Sequence, residues 1–241
     1  MQPLPPSFEK IPRHVALIMD GNGRWAAQHN KTRLEGHREG AQSVRAVLRA
    51  AAAIQIEYIT IYAFSTENWK RSPDEVAGLM QLLIESLNAY EEELHENGIR
   101  LQMMGEKGAL PSLVRKRVER AIEATAQYDK HTLTLALNYG GRAEIAQAAR
   151  QLAEQVQDGS LSLESIDEDA LSAHLYQPDL PDPDLLIRTS GEFRLSNFML
   201  WQLSYTEMYV TDTCWPEFKE EQFYEAIQSY NQRDRRFGAR Q

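Results

Sequence analysis

The sequence predicts an α/β fold: one domain with a central, mostly parallel six-stranded sheet wrapped by helices. Three observations predict it. Apolar, β-branched runs alternate with longer segments of helical period along the chain, the pattern of a doubly wound parallel sheet. Several strand runs are apolar at almost every position, as strands covered on both faces are. The helical segments carry capping residues, proline or glycine at their ends, which mark boundaries.

In order, "HVALIM" (14–19) is the first strand and the alanine-rich "EGAQSVRAVLRAAAAI" (39–54) the first helix. "IEYITIYAF" (56–64) is the second strand. The helix "SPDEVAGLMQLLIESLNAYEEELHENG" (72–98) opens with Ser72 as cap, Pro73 at the first helical position and acids in its first turn, and closes at Gly98. "IRLQMM" (99–104) is the third strand, "PSLVRKRVERAIEATAQ" (111–127) a helix and "TLTLALN" (132–138) the fourth strand. "GRAEIAQAARQLAEQVQDG" (141–159) is again helical, "DLLIR" (184–188) and "MYVTD" (208–212) are the last strands, and 216–236 the last helix. There is no repeat, and the proline-rich "QPDLPDPD" (177–184) is too short to serve as a linker between domains. We therefore expect residues 1–241 to be one domain, with 1–12 and 237–241 as flexible tails.

Composition narrows the function. Of 241 residues 42% are hydrophobic and 25% charged, enough apolar matter for a large core. A net charge of −9 argues against general nucleic-acid binding. Arginine nevertheless outnumbers lysine 19 to 7, and guanidinium is the better fork for phosphate. The single cysteine, Cys214, excludes an internal disulfide and reads as a buried thiol. No apolar signal core and no run of membrane-spanning length are found, so a cytoplasmic protein is expected.

In parallel sheets ligands bind beyond the carboxyl ends of the strands. After the first strand comes "MDGNGRWA" (19–26), in which Gly21-x-Gly23-x-x-Ala26 formally matches a dinucleotide fingerprint. That fingerprint wants a ribose-binding acid about twenty residues on; here the second strand ends near Phe64. Asp20 would repel a bare diphosphate, but a carboxylate beside phosphates is reasonable when a hard cation lies between them, as Mg²⁺ does. Arg33 and His37 follow on one helical face. After the second strand comes the dense polar loop "FSTENWKRS" (64–72); after the fifth, "IRTSGEFRLSNF" (187–198) with Arg188, Arg194 and Ser196 suits a second phosphate group. "NYGGRAE" (138–144) reads as a tight turn. Glu207, acidic in an apolar context, needs a cation or a metal.

Four stretches, "HVALIMDGNGRWA", "YAFSTENWKR", "LNYGGR" and "DLLIRTSGEFRLSNFMLWQLSYTEMY", resemble the cis-prenyltransferase family, and within it the bacterial enzymes that make undecaprenyl diphosphate. The resemblance runs from about residue 12 to 237. It implies a Mg²⁺-dependent homodimer with an apolar tunnel, condensing farnesyl diphosphate with eight isopentenyl diphosphates to form cis double bonds. The product would be the carrier-lipid precursor for peptidoglycan, delivered to the inner face of the membrane by an enzyme without a transmembrane segment.

Carried over residue by residue, the resemblance makes Asp20 the catalytic acid and metal ligand, with Gly21, Asn22, Gly23 and Arg24 around the allylic diphosphate and Arg33 and His37 beside it. Trp25, Ser65, Thr66, Glu67, Trp69 and Arg71 would line the substrate site. Asn68 matches a position assigned to proton transfer; a neutral carboxamide is a poor base, so we expect it to orient. Arg188, Arg194, Leu195 and Ser196 match the isopentenyl-diphosphate clamp, and Glu207 a further metal ligand. Where several bacterial members carry a histidine ligand, this chain has Phe193, which cannot bind metal. In the tail, Arg236 and Gly238 are expected either to cap the last helix or to reach a diphosphate across the dimer. The helix 72–98 carries the apolar stripe Val76, Leu79, Met80, Leu83, Leu87 and Tyr90, which on pattern alone is core and on the resemblance is a tunnel wall. Other readings remain: a cis-prenyltransferase of different product length, a nucleotide- or phosphate-binding α/β protein, or a non-catalytic partner subunit.

Overall fold

The computed structural model describes residues 6–233. Arg236, Gly238 and the tails 1–5 and 237–241 lie outside the described residues. Six strands form one sheet in the order β3-β4-β2-β1-β5-β6, and every pairing is parallel. The strands are β1 His14–Ile18, β2 Tyr58–Ser65, β3 Ile99–Met104, β4 His131–Tyr139, β5 Leu185–Arg188 and β6 Glu207–Val210. β1 is central. Its chain leaves toward β2 on one side, while β5, its other neighbour, leads outward to β6. The order therefore reverses between β1 and β5, and a crevice opens beyond their carboxyl ends.

The helices among the described residues are α1 Asn22–Gln28, α2 Arg33–Ala53, α3 Pro73–Glu96, α4 Ser112–Ala124, α5 Gly141–Gln157, α6 Glu168–Ser172 and α7 Glu220–Asn231. α3 starts as its sequence demands: the Ser72 side chain accepts from the Glu75 N–H and Pro73 sits in the first turn. Strand parity sorts the core into two faces. Val15, Leu17, Ile59, Ile61, Leu133 and Leu135 face α2, α3, α4 and α7. Ala16, Ile18, Ala136 and Leu186 face the opposite way, against Phe198, Met199, Leu203 and Tyr176.

Two expectations need correction, and two short helices are added. α2 begins at Arg33, not at 39, because Thr32 and Glu35 form a capping box ahead of it. Gly36 and Gly40 are contact points: a Cβ at Gly36 would lie 2.2 Å from the Asn22 carbonyl oxygen, and one at Gly40 2.3 Å from Asn22 Oδ1. α1 and the short α6 had no periodic signal, being seven and five residues long. The expected free tail at 1–12 is tethered at its end: Phe8 packs against Tyr224, and the Lys10 N–H donates to Asn231 Oδ1 at 2.7 Å.

Candidate active site

The glycine loop after β1 is a helix N-terminus. Gly21 has φ +99°, a conformation that only glycine adopts cheaply, and α1 starts at Asn22. Asp20 just before it is fixed from several sides. Its Oδ1 accepts from the Gly21 N–H at 2.8 Å, its own N–H donates to Thr189 Oγ1 at 2.9 Å, and its Oδ2 accepts from Arg188 Nη2 at 2.8 Å. Arg194 Nη2 lies 3.8 Å from the same oxygen. Arg188 is 2% exposed and Asp20 36%, so the pair has one buried partner and one facing the crevice. Arg188 Nη1 also donates to Ser196 Oγ at 2.9 Å and to the Arg194 carbonyl oxygen. The reversal point of the sheet thus joins Asp20 from β1 to the loop after β5.

Two further guanidinium pairs stand around this centre, each bridged by a glutamate that sequence reasoning missed. Glu192 accepts from Arg24 Nη2 at 3.0 Å and from Arg194 Nη1, and those bonds, Arg194's first, hold its carboxyl below the usual range. Arg24 also donates to the Ser190 carbonyl oxygen at 2.7 Å. Glu75 takes a bond from Arg71 Nη1 at 2.9 Å and faces Arg33 Nη1 at 3.8 Å. His37 lies near this pair. Burial first, then the charges of Arg71 and Arg33, push it down to about 4 against Glu75, so it stays neutral near pH 7. The only signals for the bridging acids were an acid two residues before an arginine in "GEFR" and one four residues after an arginine in "RSPDE".

The loop after β2 braces itself. The register of β2 on β4 is irregular between Tyr62 and Ser65, and such bulges re-aim a strand end. Asn68 Oδ1 accepts from the Ser65 N–H at 3.0 Å, so its side chain holds the loop's own backbone. Thr66 Oγ1 donates to Glu67 at 3.3 Å, and Asn197 Nδ2 donates to Glu67 at 2.8 Å, tying this loop to the one after β5. Trp69 Nε1 donates to Asn138 Oδ1 at 2.7 Å with its ring edge-on to Phe64. Ser190, Ser196, Asn197 and Met199 all have positive φ. Such non-glycine residues are uncommon and strained, and here they cluster in one loop.

Directly beneath lies an apolar cleft between α2, α3 and the sheet, with about 1240 Å³ of empty space, its open mouth included. Met19, Asn22 and His37 wall it at the Asp20 end; Val44, Leu48, Leu83, Leu87, Ile61 and Leu135 continue it. Most of the expected stripe on α3 lines it: Leu79, Met80, Leu83, Leu87 and Tyr90.

Some expected residues sit elsewhere. Trp25 is buried, stacked on His29 at 4.3 Å in a small cluster with Ala26 and Cys214, and anchors α1 without walling the cleft. Leu195 packs onto the opposite face of the sheet. Glu207 is not brought to Asp20 within this chain. It pairs in register with Leu185, level with Val15 and therefore at the amino end of the strands, and it binds Arg233 Nη1 at 2.9 Å. Phe193 is 83% exposed. In place of the expected tight turn, Gly140 is the extended cap of α5 and Gly141 its first residue, and the Gly141 N–H donates to the Asn197 carbonyl oxygen at 2.7 Å.

Comparison with known proteins agrees with this geometry. The undecaprenyl diphosphate synthase family model of the prenyltransferases matches residues 18–238. The isoprenyl transferase of Bacillus subtilis (strain 168) is 50% identical over 229 residues, covering 95% of this chain and 88% of its own length. The isoprenyl transferase of Listeria innocua is 53% identical over 229 residues, covering 95% and 90%. Among solved structures, lavandulyl diphosphate synthase from Lavandula x intermedia, in complex with dimethylallyl diphosphate, superposes with a TM-score of 0.92 at 37% identity, covering 95% of this chain and 99% of that one. A probable undecaprenyl diphosphate synthase from Campylobacter jejuni gives 0.78 at 32% identity, covering 96% and 100%.

Proposed function

The chain belongs to the undecaprenyl diphosphate synthase family of isoprenyl transferases, and from that premise we propose that it lengthens farnesyl diphosphate with isopentenyl diphosphate, forming cis double bonds, to the 55-carbon undecaprenyl diphosphate. One observation carries the reading: the Asp20–Arg188–Arg194 cluster adjoins the apolar cleft, whose wall includes Met19 and Asn22 on either side of Asp20 and Gly21. Two diphosphate heads at the rim and an apolar chain below would use both features.

In this reading the allylic C–O bond breaks and its electron pair leaves with the diphosphate. The isopentenyl double bond supplies the pair for the new carbon–carbon bond, and the proton then lost goes to an oxygen of the released diphosphate. Arg24, Arg33 and the N–H groups at the start of α1 receive the allylic diphosphate; Arg188, Arg194 and Ser196 receive the isopentenyl one. Glu75 and Glu192 hold those guanidiniums in place until phosphate oxygens compete for them. Asn68 orients the β2 loop and takes no proton, since its carbonyl oxygen is occupied by the Ser65 N–H. Holding two reactants in register is itself a large share of such catalysis.

The residues fit one magnesium ion. Mg²⁺ is held by one or two carboxylates with substrate phosphate oxygens completing its shell. Asp20 supplies one half-exposed carboxylate with lone pairs to spare, and no cluster of three or more His, Cys, Asp or Glu suited to a metal occurs among the described residues. When bound there, Mg²⁺ would neutralise charge gathering on the leaving diphosphate. We extend the reading to a cytoplasmic homodimer that passes its product to the membrane; no helix among the described residues is long and apolar enough to cross one.

Incubation with farnesyl diphosphate, labelled isopentenyl diphosphate and Mg²⁺, with the products sized, tests the proposal. A series ending at 55 carbons is expected. Another end point corrects the product assignment; no labelled chain at all overturns the function.

A further inference from the structure

At its far end the apolar cleft is walled in part by charge. α2 and α3 both start at the carboxyl edge of the sheet and run back to its amino edge, where they lead into β2 and β3. Gly40 lines the cleft near the rim; Arg49 is nine residues on, about 14 Å at ~1.5 Å per residue. On α3, Met80 and Glu93 are thirteen residues apart, about 20 Å. Arg45, Arg49 and Glu93 therefore wall the end remote from Asp20. There the two helices are stapled. Arg45 Nε donates to one oxygen of Glu93 and Arg49 Nε to the other, and the Arg45 guanidinium lies over the Tyr90 ring, 5.5 Å from its centroid. Glu93 is 15% exposed, while the arginines, at 39% and 44%, cover it from outside. The neighbouring wall, Leu94, Ile99 and Leu133, is apolar.

We propose that Arg45, Glu93 and Arg49 form a latch that sets where chain growth stops. The inference rests on the elongation reading above. With its diphosphate held at the rim, a growing chain advances its apolar tail toward the latch. An apolar end wall would yield by shifting side chains. A tail that forces this one open strands a sheltered carboxylate without its cations, and hydrocarbon offers no hydrogen bonds in exchange. Growth stops where the tail meets the latch.

The test supplies farnesyl diphosphate, labelled isopentenyl diphosphate in excess and Mg²⁺ to wild type and variants, and sizes the products. Glu93→Ala should lengthen the main product by at least one five-carbon unit while the first addition proceeds at the wild-type rate. The double variant Arg45→Met, Arg49→Met, which keeps apolar stems and removes the charges, should do the same. Arg49→Met alone, at a half-exposed position, puts the fold least at risk and should add longer chains to the distribution. Variants that elongate only to the wild-type length, or shorter, overturn the latch and leave the elongation reading standing. A wild type that makes no prenyl chain overturns both.

Discussion

On one face of the sheet Tyr62 stacks on Phe198 at 4.5 Å, and Tyr139 meets Phe198 and Tyr176 edge-on at 6.1 Å. On the other, Ile61, Leu133, Leu135 and Leu137 look onto the empty cleft under α2 and α3. The packed face carries the loops that bear charge. Tyr139 ends β4, Phe198 and Met199 close the loop after β5, and the Tyr139 hydroxyl accepts the Met199 N–H at 3.1 Å. The open face carries His37, with Arg33 and Arg71 beside it, at its mouth and offers room below them. In the proposed function the sheet would separate two jobs: a braced rim holding guanidiniums where charge develops, and open space under α2 and α3 taking a chain whose length changes. Substitutions at the rim should alter rate, and substitutions along the cleft should alter length.

The largest effect tests that division at Asp20. Asp20→Ala should lower turnover by about 10²–10³-fold or more, the scale of losing a group aimed at developing charge, with the fold intact by circular dichroism. Asp20→Asn keeps a bond to Arg188 but not the charge, and should lose comparable turnover with less change in Tm. Full activity in either variant removes Asp20 from the mechanism. Product length in the residual activity should match wild type.

Tyr139→Phe tests whether the packed face supports the rim. The hydroxyl donates to the buried Glu144 at 2.6 Å and receives the Met199 N–H. Glu144 would keep bonds from Gln202 and the Tyr176 N–H but lose its shortest, and Met199 would lose its acceptor. Leaving buried polar groups unpaired costs about 1–3 kcal/mol, which lowers Tm by a few degrees in a domain of this size. The KM for isopentenyl diphosphate should rise more than kcat falls, since Met199 is three residues from Ser196. Unchanged Tm and KM would show that the aromatic face does not steady the loop.

The regular half of the fold was legible and the irregular half only partly so, for physical reasons. All six strand runs fall within two residues of the observed strands, because burial on both faces leaves a continuous apolar signature. That Asp20, Arg188 and Arg194 come together was legible because strand ends in parallel sheets converge. The start of α2 was hidden because Gly36, ahead of the expected helix, answers to close contact with Asn22, which no local pattern reports. Glu192 and Arg24 are 168 residues apart, as Asn197 and Glu67 are 130, so their pairing exists only once the sheet is ordered. Glu207, whose apolar surroundings called for a cation or a metal, lies by register at the amino end of its strand and takes a cation, Arg233; the metal role came from the resemblance alone.

The smallest effect distinguishes the two faces by protons. His14, on the packed face, donates from Nδ1 to the Pro181 carbonyl and, while neutral, accepts at Nε2 from the Thr60 hydroxyl; burial pushes it down to about 4, against that carbonyl and Asp184. His37, on the cleft wall, lies at about 4 by burial and neighbouring guanidiniums. Both folded values are below the ordinary 6.5, so the unfolded chain takes up protons first as pH falls. Stability should therefore be level above about pH 6.5 and decline toward pH 4, by up to about 1.4 kcal/mol per pH unit for each histidine. The two should diverge when inorganic diphosphate is added. An anion beside Arg33 and Arg71 cancels some of the charge that depresses His37 and raises its midpoint, while His14, sealed behind the sheet, keeps its own. Imidazole proton shifts followed by NMR across that pH range read both. Movement of both midpoints, or of neither, would mean that the diphosphate does not settle on the open side, and the division of labour between the faces would have to be redrawn.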